Sequence, residues 1–198
     1  MCSSDLSEQG GSLTAVMKVD RTFVFVDLSG FTMYTAAHGD VAAGNILTRF
    51  RAEVRDVAAT WGIRVDKWLG DGCMIVSVEQ DKAIRFALDL QKSCEEVCQP
   101  LTVRVGVATG EVLMFQGEDY IGTSVNQASR LCDAADHNEV LMARADIRKL
   151  PDGVVENNHA PVDLRGLGRV DVVSLSAPTK LSGTNDTGEL WTRSPFVA

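Results

Sequence analysis

The ten residues FVFVDLSGFT, Phe23 to Thr32, decide how the rest of the chain is read. With Thr22 in front, TFVFV is β-branched and aromatic with no polar alternation, the mark of a strand covered on both faces. The strand runs into an acid, Asp27, then into Leu28-Ser29-Gly30-Phe31-Thr32, which leads into helical spacing. A helix N-terminus presents unpaired N–H groups and a partial positive charge, and Gly30 lets the backbone approach a ligand closely. The turn from Leu28 to Thr32 therefore suits phosphate oxygens. An acid beside phosphate repels it unless a divalent cation lies between them, so Asp27 implies Mg²⁺ or Mn²⁺.

Helical spacing continues from about Thr32 to Thr60, with Gly39 and Gly44 as interruptions, and stops at Gly62. RVDKW and CMIVSV then flank LGDG, a hairpin signal that puts Asp71 at the tip. If this hairpin pairs with the first strand, the two tips meet, and Asp71 becomes the second metal ligand. Either acid alone is equally a helix cap or a turn residue. Together, and with the basic positions further on, they favour a metal.

Asp81 to Val97 shows one apolar helical face, and Pro100 closes it. LTVRVGVA alternates cleanly, and EVLMF follows Thr109-Gly110, which reads as a second hairpin. TSVNQASRLCDAA predicts a helix with Thr123 or Ser124 as N-cap, and EVLMA predicts a strand. A short helix from Ala143 to Leu150 and a last pair of strands around Gly166 to Gly168 complete the domain. The order β-α-β-β-α-β, with a helix and strands appended, predicts an α+β protein: a ferredoxin-like βαββαβ core with helices against a mostly antiparallel sheet. Residues 1–18 read as a flexible tail, 19–181 as the domain and 182–198 as a loose tail.

At 198 residues the chain suits one core, and 45% hydrophobic with 23% charged residues is ordinary for a globular protein. The formal charge of -8 argues against nucleic acid or an anionic membrane as a partner. No apolar run approaches the ~20 residues of a membrane span, and no signal sequence is apparent, so a cytoplasmic location is expected. Five cysteines (Cys2, Cys73, Cys94, Cys98, Cys132) at irregular spacing fit reduced thiols, and His38, His137 and His159 are too scattered for a zinc pattern. A haloacid-dehalogenase-type phosphatase needs an Asp-x-Asp after the first strand. Ser29 stands at the second position, so that reading loses its general acid.

Taken in order, FVDLSGFT, KWLGDG, VRVGVATGEV and DYIGTSVNQASRL resemble the catalytic domain of class III nucleotide cyclases, most closely the soluble bacterial adenylyl cyclases of actinobacterial type. The likeness covers about Thr22 to Leu181. It implies that Asp27 and Asp71 hold two ions of Mg²⁺ or Mn²⁺ per site, and that Lys67 and Asp119 recognise the purine. It also implies that Asn126 orients the ribose, that Arg130 stabilises the transition state, and that Arg165, where the family usually has lysine, contacts the terminal phosphates. The reaction implied is attack of the ribose 3′-oxygen of ATP on its own α-phosphorus, giving 3′,5′-cyclic AMP and pyrophosphate.

The residue types suit that chemistry. A planar, permanently charged arginine answers charge growing around the α-phosphorus. Asn126 and Arg130, one helical turn apart, project from one face. Adenine offers an acceptor at N1 and a donor at its 6-amino group, which complement a lysine that only donates and a carboxylate that only accepts. Guanine reverses those edges, and the family's guanylyl enzymes typically carry Glu and Cys instead. Tyr120, where the family often has a smaller residue, keeps a guanylyl or dual-specificity cyclase as an alternative, and a catalytically weak nucleotide-binding regulatory module is a second. The family splits each site between subunits, so a chain with both residue sets is expected to form a head-to-tail homodimer.

Overall fold

The computed structural model describes residues 16–117 and 119–177. Of the tail expected at 1–18, residues 1–15 lie outside the described residues, as do residues 178–181 of the expected domain and the whole tail expected at 182–198. The first strand, β1 (Val16–Ser29), takes in residues 16–18, which the sequence reading assigned to the tail. It is followed by α1 (Phe31–Thr60), the hairpin β2 (Arg64–Leu69) and β3 (Gly72–Ser77), α2 (Gln80–Val97) and β4 (Thr102–Phe115). Then come β5 (Asp119–Ile121), α3 (Thr123–Ala134) and β6 (Glu139–Ala143). The last strands are β7 (Val155–Asn158), β8 (Val162–Leu164), β9 (Gly168–Val170) and β10 (Val172–Ser176).

The sheet order β2-β3-β1-β4 is the ferredoxin-like arrangement, and β6-β10-β7 extend it, with β5 paired to β4. β1 is antiparallel to both β3 and β4, whereas β4 and β6 are parallel because the connection between them crosses over through α3. Alternation along the strands sorts side chains into two layers. Val24, Val26 and Leu28 of β1 and Val103, Val105 and Val107 of β4 pack with Phe50 of α1 and Phe86 of α2. Phe23, Ala108 and Leu141 point the other way, against Ala128 and Leu131 of α3. Phe23, Phe50 and Phe86 are fully buried, each contributing about 1.5–3 kcal/mol relative to exposure. α3 packs over β1, β4 and β6, and among the described residues no helix packs over the β2–β3 part of that face.

Four local expectations are corrected. Thr109-Gly110 makes no hairpin: β4 runs straight through, pairing with β1 from Val16↔Phe115 to Ser29↔Thr102. Gly110 is there for a close approach, since a Cβ would stand 2.3 Å from Ser124 Oγ on α3. The chain turns instead at Gln116 and Gly117, both at positive φ (56° and 79°), and returns as β5. The helix expected from Ala143 to Leu150 is only the 3-10 turn Arg144–Asp146. The N-cap of α3 is Gly122, not Thr123 or Ser124, because its Cβ would meet Val112 Cγ1 at 2.8 Å and Ser124 is buried against β4. In α1, Gly39 does break the helix (φ 84°, ψ 166°), but Gly44 does not. Cys73, Cys94, Cys98 and Cys132 are buried free thiols, and no helix among the described residues is long and apolar enough to cross a membrane.

Candidate active site

Sheet register brings the two acids together. Asp27 lies directly opposite Gly72, the residue after Asp71, and the Leu28 N–H donates to the Asp71 carbonyl at 3.3 Å. Glycine is required at 72, where a Cβ would stand 2.6 Å from the Val26 carbonyl and 3.2 Å from Asp27 Oδ1. Burial, and then the negative charge of Asp27, push the Asp71 carboxyl above the ordinary carboxylate range. Two carboxylates that repel one another suit a hard cation. Among the described residues no third His, Cys, Asp or Glu converges with them. The remaining ligands would be water, main-chain or phosphate oxygens, the usual coordination of Mg²⁺.

Arg104, which the sequence reading missed, faces Asp27 across the β1–β4 ladder. Its Nε and Nη2 donate to Asp27 Oδ2 at 2.9 and 2.6 Å, and its Nη1 to the Asp133 carbonyl at 3.3 Å. The signal was present in VRVGVA: with Val103, Val105 and Val107 facing one way, the arginine must share the other face with Gly106 and Ala108. Burial works against its charge, but the hydrogen bonds and charge of Asp27 prevail and raise its pKa.

The turn from Leu28 to Thr32 opens α1. Gly30 caps α1 in the left-handed region (φ 82°, ψ 8°), and the first helical bond runs from the Tyr34 N–H to the Gly30 carbonyl at 3.0 Å. The N–H groups of Phe31 and Thr32 therefore precede any helical acceptor. Leu28 is corrected: its N–H is taken by Asp71 and its side chain is in the core. Ser29 ends β1, within its pairing with β4. A cavity of about 630 Å³ opens beside the turn, lined by Phe31, Thr32, Leu47, Arg51 and Asp71 among others.

Lys67 on β2 and Asp119 on β5 form an ion pair although their strands are not neighbours, and about half of each side chain remains exposed. Burial pushes the adjacent Asp66 carboxyl up; Lys67 opposes that and Asp119 adds to it. The Tyr120 ring meets Phe23 edge-on at 5.4 Å, which draws it towards the core.

On α3, Asn126 is exposed, and the Arg130 guanidinium is half-exposed with Nη1 3.2 Å from Asp133 Oδ2. The helix lies close on β4: a Cβ at Gly106 would stand 2.2 Å from both the Ala128 carbonyl oxygen and the Cys132 nitrogen. Three groupings thus form within the chain: Asp27 with Asp71 and Arg104, Lys67 with Asp119, and Asn126 with Arg130. Arg165 joins none of them. It is exposed on the turn from β8 to β9, with no hydrogen bond or ion pair to another site residue among the described residues.

Residues 16–177 match the family model described as the adenylate and guanylate cyclase catalytic domain. The chain is 39% identical to an uncharacterized protein of Mycobacterium tuberculosis over 142 residues, 72% of this chain and 37% of the relative. It is 34% identical to the adenylate cyclase of Streptomyces coelicolor over 134 residues, 67% of this chain and 35% of that protein. The chain therefore spans just over a third of these relatives' length. In fold it is similar to the adenylyl cyclase CyaB of Pseudomonas aeruginosa, with a TM-score of 0.73, 20% identity and coverage of 84% and 98% of the two chains. It is equally similar to the catalytic core of a rhodopsin-guanylyl cyclase with converted specificity in complex with ATPalphaS, at TM-score 0.74, 20% identity and coverage of 83% and 99%.

Proposed function

Because the chain belongs to the adenylate and guanylate cyclase catalytic domain family, we propose that it is an adenylyl cyclase, converting ATP to 3′,5′-cyclic AMP and pyrophosphate at sites shared between two copies of the chain. The observation that carries the adenine reading is the Lys67–Asp119 pair, one donor and one acceptor held side by side on the open part of the sheet face. The packing of Tyr120 on Phe23 supports it, since a ring held by the core does not restack the base. Guanine would leave both partners mispaired, at about 1–3 kcal/mol for each buried unsatisfied group.

In this reading Asp27 and Asp71 hold Mg²⁺ or Mn²⁺, two ions per site. When bound, the ions lower the cost of the attacking alkoxide and screen the leaving pyrophosphate. The N–H groups of Phe31 and Thr32 receive the triphosphate, together with Gly30, whose left-handed turn lets the backbone come close. Leu28 and Ser29 contribute as the rigid strand end. Asn126 orients the ribose, and Arg130 donates to the oxygens around the α-phosphorus as charge gathers there. Arg104 holds the Asp27 carboxylate in place, and with cations on Asp27 its guanidinium would be available to donate to phosphate. Arg165 reaches the terminal phosphates from its exposed turn.

A head-to-tail homodimer is favoured by the β2–β3 part of the sheet face, which α3 leaves open and which presents Lys67. We place the activity in the cytoplasm, where ATP and Mg²⁺ are supplied. Neither nucleic acid nor a membrane is required by the site.

Purified protein incubated with ATP or GTP, and with Mg²⁺ or Mn²⁺, tests the reading. Cyclic AMP should form with either metal, with ATP preferred. Preferred turnover of GTP would establish the guanylyl alternative, and tight ATP binding without product would establish the regulatory module. An Asp27→Ala chain mixed with an Arg130→Ala chain should regain activity through one intact composite site. Heterodimers that form and stay inactive would rule out shared sites.

A further inference from the structure

Asp146 lies in the 3-10 turn after β6, partly buried, and joins two elements, β4 and α3, with one carboxylate. Its Oδ2 accepts the Thr109 N–H of β4 at 3.3 Å and the Gln127 Nε2 of α3 at 3.2 Å. Gln80, at the start of α2, donates its Nε2 to Thr109 Oγ1 at 2.7 Å and to the Asp146 carbonyl at 2.8 Å. Its Oε1 accepts the Arg148 N–H at 3.0 Å. The Thr109 hydroxyl also meets Thr22 Oγ1 of β1 at 2.9 Å. Arg148 anchors the far end of the turn to β1, donating twice to Asp20 at 2.5 and 2.6 Å. β1, β4 and α2 are thus tied to the turn that receives Gln127.

An apolar contact would bury this position more cheaply, since burial pushes the Asp146 carboxyl up and desolvating a carboxylate and an amide is unfavourable unless their bonds are well made. What the polar pair adds is direction. Gly106 and Gly110 set how close α3 comes to β4, but small residues in contact do little to fix the rotation of a helix about its own axis. Gln127 follows Asn126 and precedes Arg130 by three residues, so a rotation that breaks its bond swings both side chains together.

We propose that Gln127 and Asp146 are positioning residues whose hydrogen bond sets the rotation of α3, and so aims Asn126 and Arg130 at the reacting phosphate. This rests on the cyclase reading of those two residues, which do not themselves touch Asp146.

Steady-state kinetics of ATP turnover by Gln127→Met, Asp146→Ala and Asp146→Asn, each with its melting temperature and beside Arg130→Ala, test it. Gln127→Met keeps length, shape and helix propensity and removes only the bond. It and Asp146→Ala should lower kcat about tenfold to a hundredfold, the scale of a misaimed group, with KM for ATP within about twofold because Lys67 and Asp119 are on other elements. Asp146→Asn should restore kcat to within about threefold of the parent, since its carbonyl oxygen accepts both N–H groups. A lowered melting temperature with kcat unchanged in Gln127→Met, beside a strong loss in Arg130→Ala, overturns the positioning role alone. An unchanged kcat in Arg130→Ala overturns the catalytic reading of α3 and the inference with it.

Discussion

The acid pair and α3 are held in place by different means. Asp27 and Asp71 are set by main-chain register: a cross-strand pair, a hairpin tip, the Leu28 to Asp71 backbone bond and a glycine whose Cβ would crowd the Val26 carbonyl. Asn126 and Arg130 ride on a helix whose distance is set by two glycines of β4 and whose orientation is held by a side-chain network through Asp146. Backbone register has few alternatives, because a slip of one residue turns every side chain over. A helix resting on a sheet can rotate slightly, so the arginine is the adjustable half of the site. In the proposed reading, main-chain register would fix the metal ligands, whereas the transition-state donor would depend on side-chain bonds that a subunit rotation can disturb.

The comparison is broken most severely at its ends. Asp71→Ala and Arg130→Ala should each lower kcat roughly a hundredfold or more, the first by losing a metal ligand and the second a transition-state donor. Only the first should abolish the Mn²⁺ dependence of thermal stability in the absence of ATP. Gly106→Ala comes next. Its Cβ meets backbone atoms of α3 at 2.2 Å, so the helix must lift, destabilising the fold by about 1–3 kcal/mol or more in a denaturant titration. Gly72→Ala should cost less stability, because a hairpin end yields more easily, yet weaken metal binding by displacing Asp27. Isothermal titration with Mn²⁺ reads that directly.

The smallest effects concern pH. The Asp20 carboxyl is lowered, chiefly by its hydrogen bonds with Arg148, so its contribution is present above the ordinary carboxylate value and is lost as pH falls through its own lower one. The Asp146 carboxyl is raised by burial, so it works in the opposite sense: its contribution is full below the ordinary value and is lost as pH rises through its raised one. Asp146→Asn should therefore raise the melting temperature near neutrality and leave it unchanged in acid. Asp20→Asn should lower it near neutrality by the equivalent of about 0.2–1 kcal/mol, as for an exposed pair, and flatten the acid limb.

Much of this was legible in the chain. FVFV announced a buried central strand, and LGDG a hairpin whose tip meets it; both carry information within a few residues. The straight passage of β4 through Thr109-Gly110 was not legible, because a glycine demanded by a neighbouring helix looks identical in sequence to one demanded by a turn. Arg104 was legible from its strand face but required knowing which residue of β1 it would oppose. Gln127 and Asp146 gave no signal, being nineteen positions apart with ordinary helix and loop identities.

The sequence by itself determined the βαββαβ core, the two acids and the spacing of Asn126 and Arg130 on one helix, because periodicity and turn chemistry act locally. Only the tertiary structure decided that Arg104 pairs with Asp27, that Lys67 reaches Asp119 across the sheet, and that Asp146 accepts a hydrogen bond from Gln127 of α3. Those contacts join residues from 19 to 77 positions apart, and nothing in the chain specifies them until the strands have taken their register.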